Sequence, residues 1–421
     1  MLLPRMAPVE QRLYARRVED IPAAVARAAS PHLAKRVRRG DAIAVTVGSR
    51  GIQNLVQIIG SVVALVRDLG GRPFVLPAMG SHGGATAGGQ TALLRSLGVT
   101  PESVGAPIRA SMSVKRLGRT RGGVDVFASA EALRARGVIV INRVKQHTDF
   151  VGEYESGLAK MLAIGLGKHA GAAAMHSQGC ISLRHAVPEA ARMVLAKAPV
   201  IAGLAILENG YHQTCDVVGM APGEILSRER ELLRRVRRNA ARLPFRRIDL
   251  LVVDRIGKDI SGVGFDTRVI ARRMIWEEPE FRGPRIHLIA ALDLTPASHG
   301  NPLGIGLADL TTDRLVSKID WEALRANVLH TGWLNRAKLP LSFANDRQLL
   351  RAALTALGGP DPRRVRIVRL QDTLHLDPMW VSEGMLPEVR RSPRLRALAG
   401  PQAVAFDRRG NLTWGAEAPA G

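Results

Sequence analysis

The stretch Val138-Ile139-Val140-Ile141, followed at once by Asn142-Arg143-Val144-Lys145-Gln146-His147, decides the fold of this chain. Four successive β-branched apolar residues are typical of a strand. Similar short runs alternate with helical patterns along the first half of the chain, with strands predicted at 42–47, 73–76 and 200–207 and an amphipathic helix at 52–68. This alternation predicts an α/β fold with a mostly parallel sheet.

Three of the predicted strands end in loops that carry a cation or an imidazole. The first strand leads to Arg50, the second opens into Gly80-Ser81-His82-Gly83-Gly84, and the third leads to His147. Ligands of parallel sheets lie outside the carboxyl ends of the strands, so we expect Arg50, His82 and His147 to share one cleft. Thr86 can cap the helix that follows the second loop.

A second unit of the same type is expected after residue 244. An arginine-rich helical pattern over 223–242 ends at Leu243-Pro244-Phe245, and strand patterns then return at 248–253, 286–292 and 365–370. We therefore predict two α/β domains with mostly parallel sheets, residues 1–244 and residues 245–421, and an active-site cleft between them. The end of the chain after about Pro378 could pack back on the first domain.

Composition places the chain among folded soluble proteins. Its 421 residues are 46% apolar and 23% charged, and no apolar run is long enough to span a bilayer. The start, Met1 to Arg5, does not resemble a signal peptide, which predicts a cytoplasmic protein. Cys180 and Cys215 show no metal or redox spacing, so we expect two buried reduced thiols.

The net charge of +23 raises the question of a nucleic-acid partner. The arginines are spread over the whole length, aromatic residues make up only 4% of the chain, and no zinc-finger or other nucleic-acid motif occurs. The charge therefore indicates a compositional bias towards Arg, with weak polyanion affinity as the remaining alternative. It does not identify a function.

Lysine is scarce in this chain, with 9 Lys against 51 Arg, yet Lys145, Lys160 and Lys168 fall within 24 residues. A lysine can lose its proton and form covalent bonds, whereas an arginine cannot, so retained lysines point to chemistry. His147 lies beside Lys145 and is a candidate acid/base group. His176 follows Lys160 by 16 residues, although a lone His in such a place is more often structural. Neither a P-loop nor a dinucleotide-binding glycine motif is present.

Taken together, these segments resemble the lactate racemase family of nickel-pincer nucleotide enzymes, over nearly the whole chain. In that family a lysine is joined by a thioamide to a pyridinium mononucleotide, and a histidine 16 residues later ligates Ni(II). The resemblance implies that Lys160 is the covalent tether and His176 the nickel ligand. It also implies that His82 and His147 are the two acid/base imidazoles of a 2-hydroxy acid racemase or epimerase, an isomerase loaded by cofactor-synthesis enzymes.

The same resemblance implies where anions bind. Arg50 matches a cation at the cofactor and the substrate, and Arg255 and Lys258 match substrate-binding positions of the second domain. Ala159 stands where the lactate enzymes have Arg, and Arg255 stands where they have Gln. The extra cation predicts a small anionic 2-hydroxy acid that is longer or more anionic than lactate.

The family route explains why two imidazoles are needed. The carbanion formed by removing the α-proton of a hydroxy acid is unstable, so the family transfers a hydride instead, while a base removes the hydroxyl proton. One imidazole serves each enantiomer. Two other classes remain open for this chain: an α/β protein that binds an anionic metabolite without turnover, and a polyanion-binding protein.

Overall fold

The computed structural model describes residues 2–413 with the exception of 178, 180, 181 and 277. Cys180, expected above to be a buried thiol, lies outside these residues, whereas Cys215 is buried and free. The strands are β1 Met6–Gln11, β2 Ala42–Val47, β3 Arg72–Pro77, β4 Val114–Arg119, β5 Asp125–Ser129, β6 Gly137–Arg143, β7 Val200–Glu208, β8 Thr214–Met220, β9 Arg247–Ile256, β10 Arg285–Leu294, β11 Leu310–Thr312, β12 Leu341–Phe343, β13 Ile367–Leu370, β14 Met379–Ser382 and β15 Leu395–Ala397.

The α-helices are α1 Ile21–Leu33, α2 Leu55–Asp68, α3 Ala87–Ser96, α4 Pro101–Val104, α5 Ala130–Arg134, α6 Leu158–Lys160, α7 Lys168–His176, α8 Leu183–Lys197, α9 Ile225–Asn239, α10 Asp313–Val316, α11 Trp321–Thr331, α12 Asp346–Ala356 and α13 Leu386–Arg391. A π-helical turn, Met161–Gly165, continues α6. Short 3-10 helices lie at Pro222–Glu224, Pro296–Ser298, Ile305–Leu307, Leu334–Ala337 and Glu383–Met385. None of the described helices is both long and apolar enough to cross a membrane.

Residues Tyr14–Ala240 form one compact unit, here called the first unit. Its five-stranded sheet has the order β3-β2-β6-β7-β8. The first four of these strands are parallel to one another, and β8 runs antiparallel to β7. The predicted α/β fold with mostly parallel strands is therefore confirmed, and Thr86 caps α3 by accepting a hydrogen bond from the Gly89 amide, as expected.

Residues 138–141 of the central strand β6 are all apolar because both faces of the sheet are covered. Val138 and Val140 point into one hydrophobic core, and Ile139 and Ile141 point into another. Alternate side chains of a strand face opposite sides of the sheet, so a strand covered on both sides needs apolar residues at every position. All four side chains are buried.

The second unit combines Ala241–Gly421 with the first residues of the chain, Met1–Leu13. Its sheet has the order β12-β11-β10-β9-β13-β14-β1-β15. The strands from β12 to β13 are parallel, whereas β14, β1 and β15 are joined by antiparallel pairing. The chain after Pro378 thus supplies β14 and β15 to this sheet.

The position of β1 corrects the expected domain limits of 1–244 and 245–421. Residues 1–13 were assigned to the N-terminal domain, but β1 pairs with β14 on one side and β15 on the other. Those two partners satisfy the backbone hydrogen-bonding groups of β1 on both edges, which a buried strand requires. The pairing joins residues at least 370 positions apart, so no local pattern could indicate it.

Candidate functional site

The parallel strands of the first unit bring three loops to one edge of its sheet. β2 lies between β3 and β6, and the loops after these strands carry Arg50, His82 and His147, respectively. Ser49 Oγ, from the first loop, lies 2.5 Å from His82 Nδ1, from the second. The loops that carry Arg50 and His82 therefore lie close together, as expected, and the hydroxyl of Ser49 orients the His82 ring.

His82 is positioned by a buried charge on Lys168, a retained lysine to which the sequence motifs gave no particular role. The Lys168 ammonium is fully buried and donates hydrogen bonds to the Pro77 carbonyl and, over 3.0 Å, to Gln90 Oε1. The Gln90 amide in turn donates to the Gly80 carbonyl at 2.9 Å and to the His82 carbonyl at 3.4 Å. Burial lowers the pKa of Lys168 to about 8. The clue in the sequence was the retention of lysine among arginines.

Gly80 is required where the His82 loop packs on the helices. Its φ of 59° is in the left-handed region, and a Cβ there would lie 3.2 Å from Ile164 Cγ2 and 3.3 Å from Ala172 Cβ. His176 follows Ala172 by four residues on α7, so both face the same side of that helix. His176 is partly buried at the last position of α7.

Lys160 and His147 are brought into direct contact. Lys160 Nζ lies 2.9 Å from His147 Nε2. Phe150 stacks on the imidazole with its ring centroid 4.3 Å away, and the His147 amide donates to Glu155 Oε2 at 2.7 Å. The ring of His147 is thus fixed on one face by an aromatic ring and at its Nε2 edge by an amine.

Only one hydrogen can lie between Lys160 Nζ and His147 Nε2, because a second would clash with it. If the ammonium donates, the ring hydrogen is on Nδ1, 4.0 Å from Asp149 Oδ2. If Nδ1 instead accepts from the Asp149 amide, 3.1 Å away, then Nε2–H donates to a neutral amine. Transfer of the shared hydrogen in the first state would leave a neutral amine and an imidazolium, and the second state holds one proton fewer in total.

The arginine-rich helix α9 anchors the loop that carries His147. Arg237 Nη2 lies 2.5 Å from Glu155 Oε1, and the Glu155 side chain is fully buried. The same carboxylate accepts hydrogen bonds from the amides of His147 and Gly152, at 2.7 and 3.2 Å. A buried carboxylate is stable only with such partners, so this network defines the path of the loop.

A second carboxylate on α9 holds the helix that carries Lys160. Glu229 is 1% exposed, and its Oε2 accepts a hydrogen bond from the Ala159 amide at 2.8 Å. A Cβ at Gly157 would collide with this carboxylate, so a larger residue there would force the Glu229 side chain to move. Burial raises the pKa of Glu229 to about 7, although the amides of Ala159 and Leu158 oppose the rise. Sequence reasoning treated α9 as a connection and missed this residue.

Arg50 is a free cation at the same sheet edge. Its side chain is exposed at the surface and has neither a hydrogen bond nor an ion pair with any residue that the structure describes. Desolvation by the surrounding protein, together with the nearby charge of Arg143, lowers the pKa of the guanidinium. Arg143 itself pairs with Glu208 at 2.5 Å. An anion placed beside Arg50 would relieve this repulsion.

Arg255 and Lys258 belong to the second unit, at and just after the end of β9. Arg255 is exposed. Lys258 Nζ donates to the Gly262 carbonyl at 3.0 Å and to Asn327 Oδ1 at 3.2 Å, which gives this lysine a structural role in its loop. Over the described part of the chain, no group of three or more His, Cys, Asp or Glu side chains is arranged to hold a metal ion.

Comparison with known proteins gives only distant structural likenesses. No family model and no curated protein matches the chain. A protein from Thermotoga maritima aligns over 67% of this chain and 72% of its own length, with 12% identity and a TM-score of 0.49. The lactate racemase apoprotein from Thermoanaerobacterium thermosaccharolyticum aligns over 58% of this chain and 61% of its own, with 10% identity and a TM-score of 0.40. At these values neither likeness assigns a family or an activity.

Replacing Glu229 tests the buried carboxylate at the start of α6. Because its folded-state pKa of about 7 lies above the ordinary 4.5, the folded chain binds this proton more tightly than the unfolded chain. Stability from this group is therefore present at low pH and falls as pH rises from 4.5 to 7. Relative to Glu229→Gln, the native chain should lose on the order of 3 kcal/mol over this range and no more above it.

Urea denaturation at several pH values measures this difference. Glu231→Gln, at an exposed position of the same helix, is the matched control and should follow the native chain at every pH. If the unfolding free energies of the native chain and Glu229→Gln change in parallel with pH, the pKa of Glu229 is not raised in the folded chain.

Proposed function

We propose that this chain is a racemase or epimerase of a 2-hydroxy acid, acting by reversible hydride transfer through a nickel-pincer nucleotide tethered to Lys160. The observation that carries the proposal is the 2.9 Å contact between Lys160 Nζ and His147 Nε2. A lysine that forms a covalent bond must first lose a proton, and His147 is a base within reach of it.

The residues of the first unit fit the proposed cofactor. Lys160 supplies an amine, and His176 supplies one imidazole, which in its neutral form is a suitable ligand for Ni(II). A single protein ligand suffices where the cofactor brings its own sulfur and carbon donors. When bound, the cofactor would supply an acceptor for the hydrogen on C2 of the substrate.

The chain's own residues would manage the proton and the carboxylate. His82 and His147 come from loops at the same edge of the sheet. Each imidazole could accept the hydroxyl proton of one enantiomer and donate a proton when that enantiomer is formed. Ser49 holds Nδ1 of His82, so its Nε2 lies on the opposite edge of the ring. Acylation of Lys160 would remove the charge of its amine and leave His147 Nε2 as a proton acceptor. Arg50 would bind the substrate carboxylate.

The proposal has consequences for partners and substrate. The chain would depend on cofactor-synthesis enzymes and act in the cytoplasm. The preference of Arg255 for an acid with more negative charge than lactate stays a prediction, and Lys258 supports the loop that follows Arg255.

Lys160→Arg should abolish the covalent adduct while the fold is kept, because a guanidinium cannot replace the thioamide nitrogen. The measurement is intact mass of protein produced together with enzymes that make the pincer nucleotide. Lys145→Arg, in the same stretch of sequence, is the control and should carry the adduct. An equal adduct on Lys160→Arg would show that another residue carries the cofactor. No adduct on the native chain would favour an anion-binding protein without turnover.

The roles of the two imidazoles should be distinguishable when hydride transfer from each enantiomer is measured separately. His82→Ala should slow hydride transfer from one enantiomer, and His147→Ala from the other, by about 100-fold or more, as expected for loss of a positioned base. Absorbance of loaded protein in single turnovers with each enantiomer measures this, after intact mass has established that each variant carries the cofactor. If both variants slow both enantiomers equally, the assignment of one base to each enantiomer is wrong.

A further inference from the structure

The second unit contains a topological switch point at the centre of its sheet. From β9 the chain proceeds to β10, β11 and β12 on one side, whereas β13 pairs with β9 on the other side. In open parallel sheets, a crevice forms outside the carboxyl ends of the strands where the order reverses, and ligands bind there. Arg255, near the end of β9, and the loop after β13 lie at this place.

The two strand ends are in contact, and the loop after β13 holds a histidine–aspartate pair. The Arg255 amide donates to the Gln371 carbonyl at 3.0 Å. His375 Nδ1 lies 2.9 Å from each carboxylate oxygen of Asp372. The Asp372 side chain is only 5% exposed, whereas that of His375 is 54% exposed. A buried carboxylate thus orients an imidazole that remains open to solvent.

The Asp372 carboxylate is firmly held. Its Oδ1 accepts hydrogen bonds from the amides of Leu374 and His375, at 2.8 and 2.9 Å. Burial alone would raise the pKa of Asp372, but the hydrogen bonds from the His375 ring and from these amides outweigh it and lower the pKa. Asp372 therefore stays ionised, and the hydrogen on His375 Nδ1 points towards it.

Two potential hydrogen-bond donors at this strand end have no partner among the residues that the structure describes. His375 Nε2, on the far edge of the ring, and the Arg255 guanidinium form no hydrogen bond or ion pair with the residues that the structure describes. The hydrogen bond to Asp372 raises the pKa of His375, while partial burial and the charge of Arg255 oppose the rise. An anion between the two side chains would offset the repulsion between the guanidinium and a protonated imidazole.

We propose that Arg255 and His375 together bind a carboxylate of a small organic acid, with Asp372 as the residue that positions the imidazole. His375 Nε2–H would donate to one carboxylate oxygen, and the planar guanidinium of Arg255 to the carboxylate group. A bound carboxylate would favour the imidazolium, so affinity should rise as pH falls through the His375 pKa. The site deepens the proposed function, on which the role of Arg255 towards an anionic acid rests, by adding His375 and Asp372. Carboxylate binding here requires no tether at Lys160.

Binding can be followed on the full chain without any cofactor. The Cε1–H signal of His375 in proton–carbon correlation spectra, assigned by its loss in His375→Gln, is titrated with malate against sodium chloride of equal ionic strength. Malate should shift the signal to saturation and raise the His375 pKa. Arg255→Gln should weaken malate binding by about tenfold or more, the effect of losing a charge-assisted contact.

Arg363→Gln is the matched control, because Arg363 is exposed and precedes the amino end of β13, at the opposite edge of the sheet. It should bind malate as the native chain does. Three results would overturn the proposal. The first is a His375 signal that malate shifts no further than sodium chloride does. The others are equal malate affinity in Arg255→Gln and the native chain, and tighter binding of inorganic phosphate than of malate. Lys160→Arg should respond as the native chain does, so a failure of the tether assignment is distinguishable from a failure here.

Discussion

The contact between Lys160 and His147 is the interaction on which the chemistry of the first unit depends. It joins the loop after the central strand β6 to the short helix α6, and each partner is held by its own buried carboxylate. Glu155 fixes the backbone at His147, and Glu229 fixes the start of α6. Both carboxylates depend on α9, because Glu155 pairs with Arg237 of this helix and Glu229 belongs to the helix itself. A helix with an arginine-rich surface therefore positions both halves of the contact.

A buried charge also holds the loop that carries His82. Lys168 and Gln90 tie the end of β3 to the carbonyls of Gly80 and His82. Burying an ionisable group costs free energy unless its hydrogen-bonding partners are in place, and disruption of one partner exposes that cost. The arrangement makes each loop conformation dependent on its buried partner, which is how a site can be rigid although it is built from loops.

Local sequence patterns predicted the sheet of the first unit well but not what holds its loops. The strands β2, β3, β6 and β7 were predictable because a strand covered on both faces must be apolar at nearly every position. That the loops of Arg50 and His82 lie close together followed from the parallel order, whereas the contact of Ser49 with His82 was not predicted. The roles of Glu229 and Glu155 were not predictable, since their partners lie 70 and 82 residues away along the chain. The pairing of β1 with β14 and β15 was hidden for the same reason. The assignments of Lys160 and His176 to a cofactor stay predictions.

The reactivity of the Lys160 amine tests the account most directly, because the account requires His147 to accept a proton from it. Trace acetylation of the full chain at pH 7, read by peptide mass spectrometry, gives the relative rate at each lysine. Exposed Lys115 serves as the internal reference. His147→Phe, which keeps a ring beside Phe150 but removes the acceptor, should lower the relative rate at Lys160 by about tenfold. An unchanged rate in His147→Phe would contradict a proton-accepting role for His147.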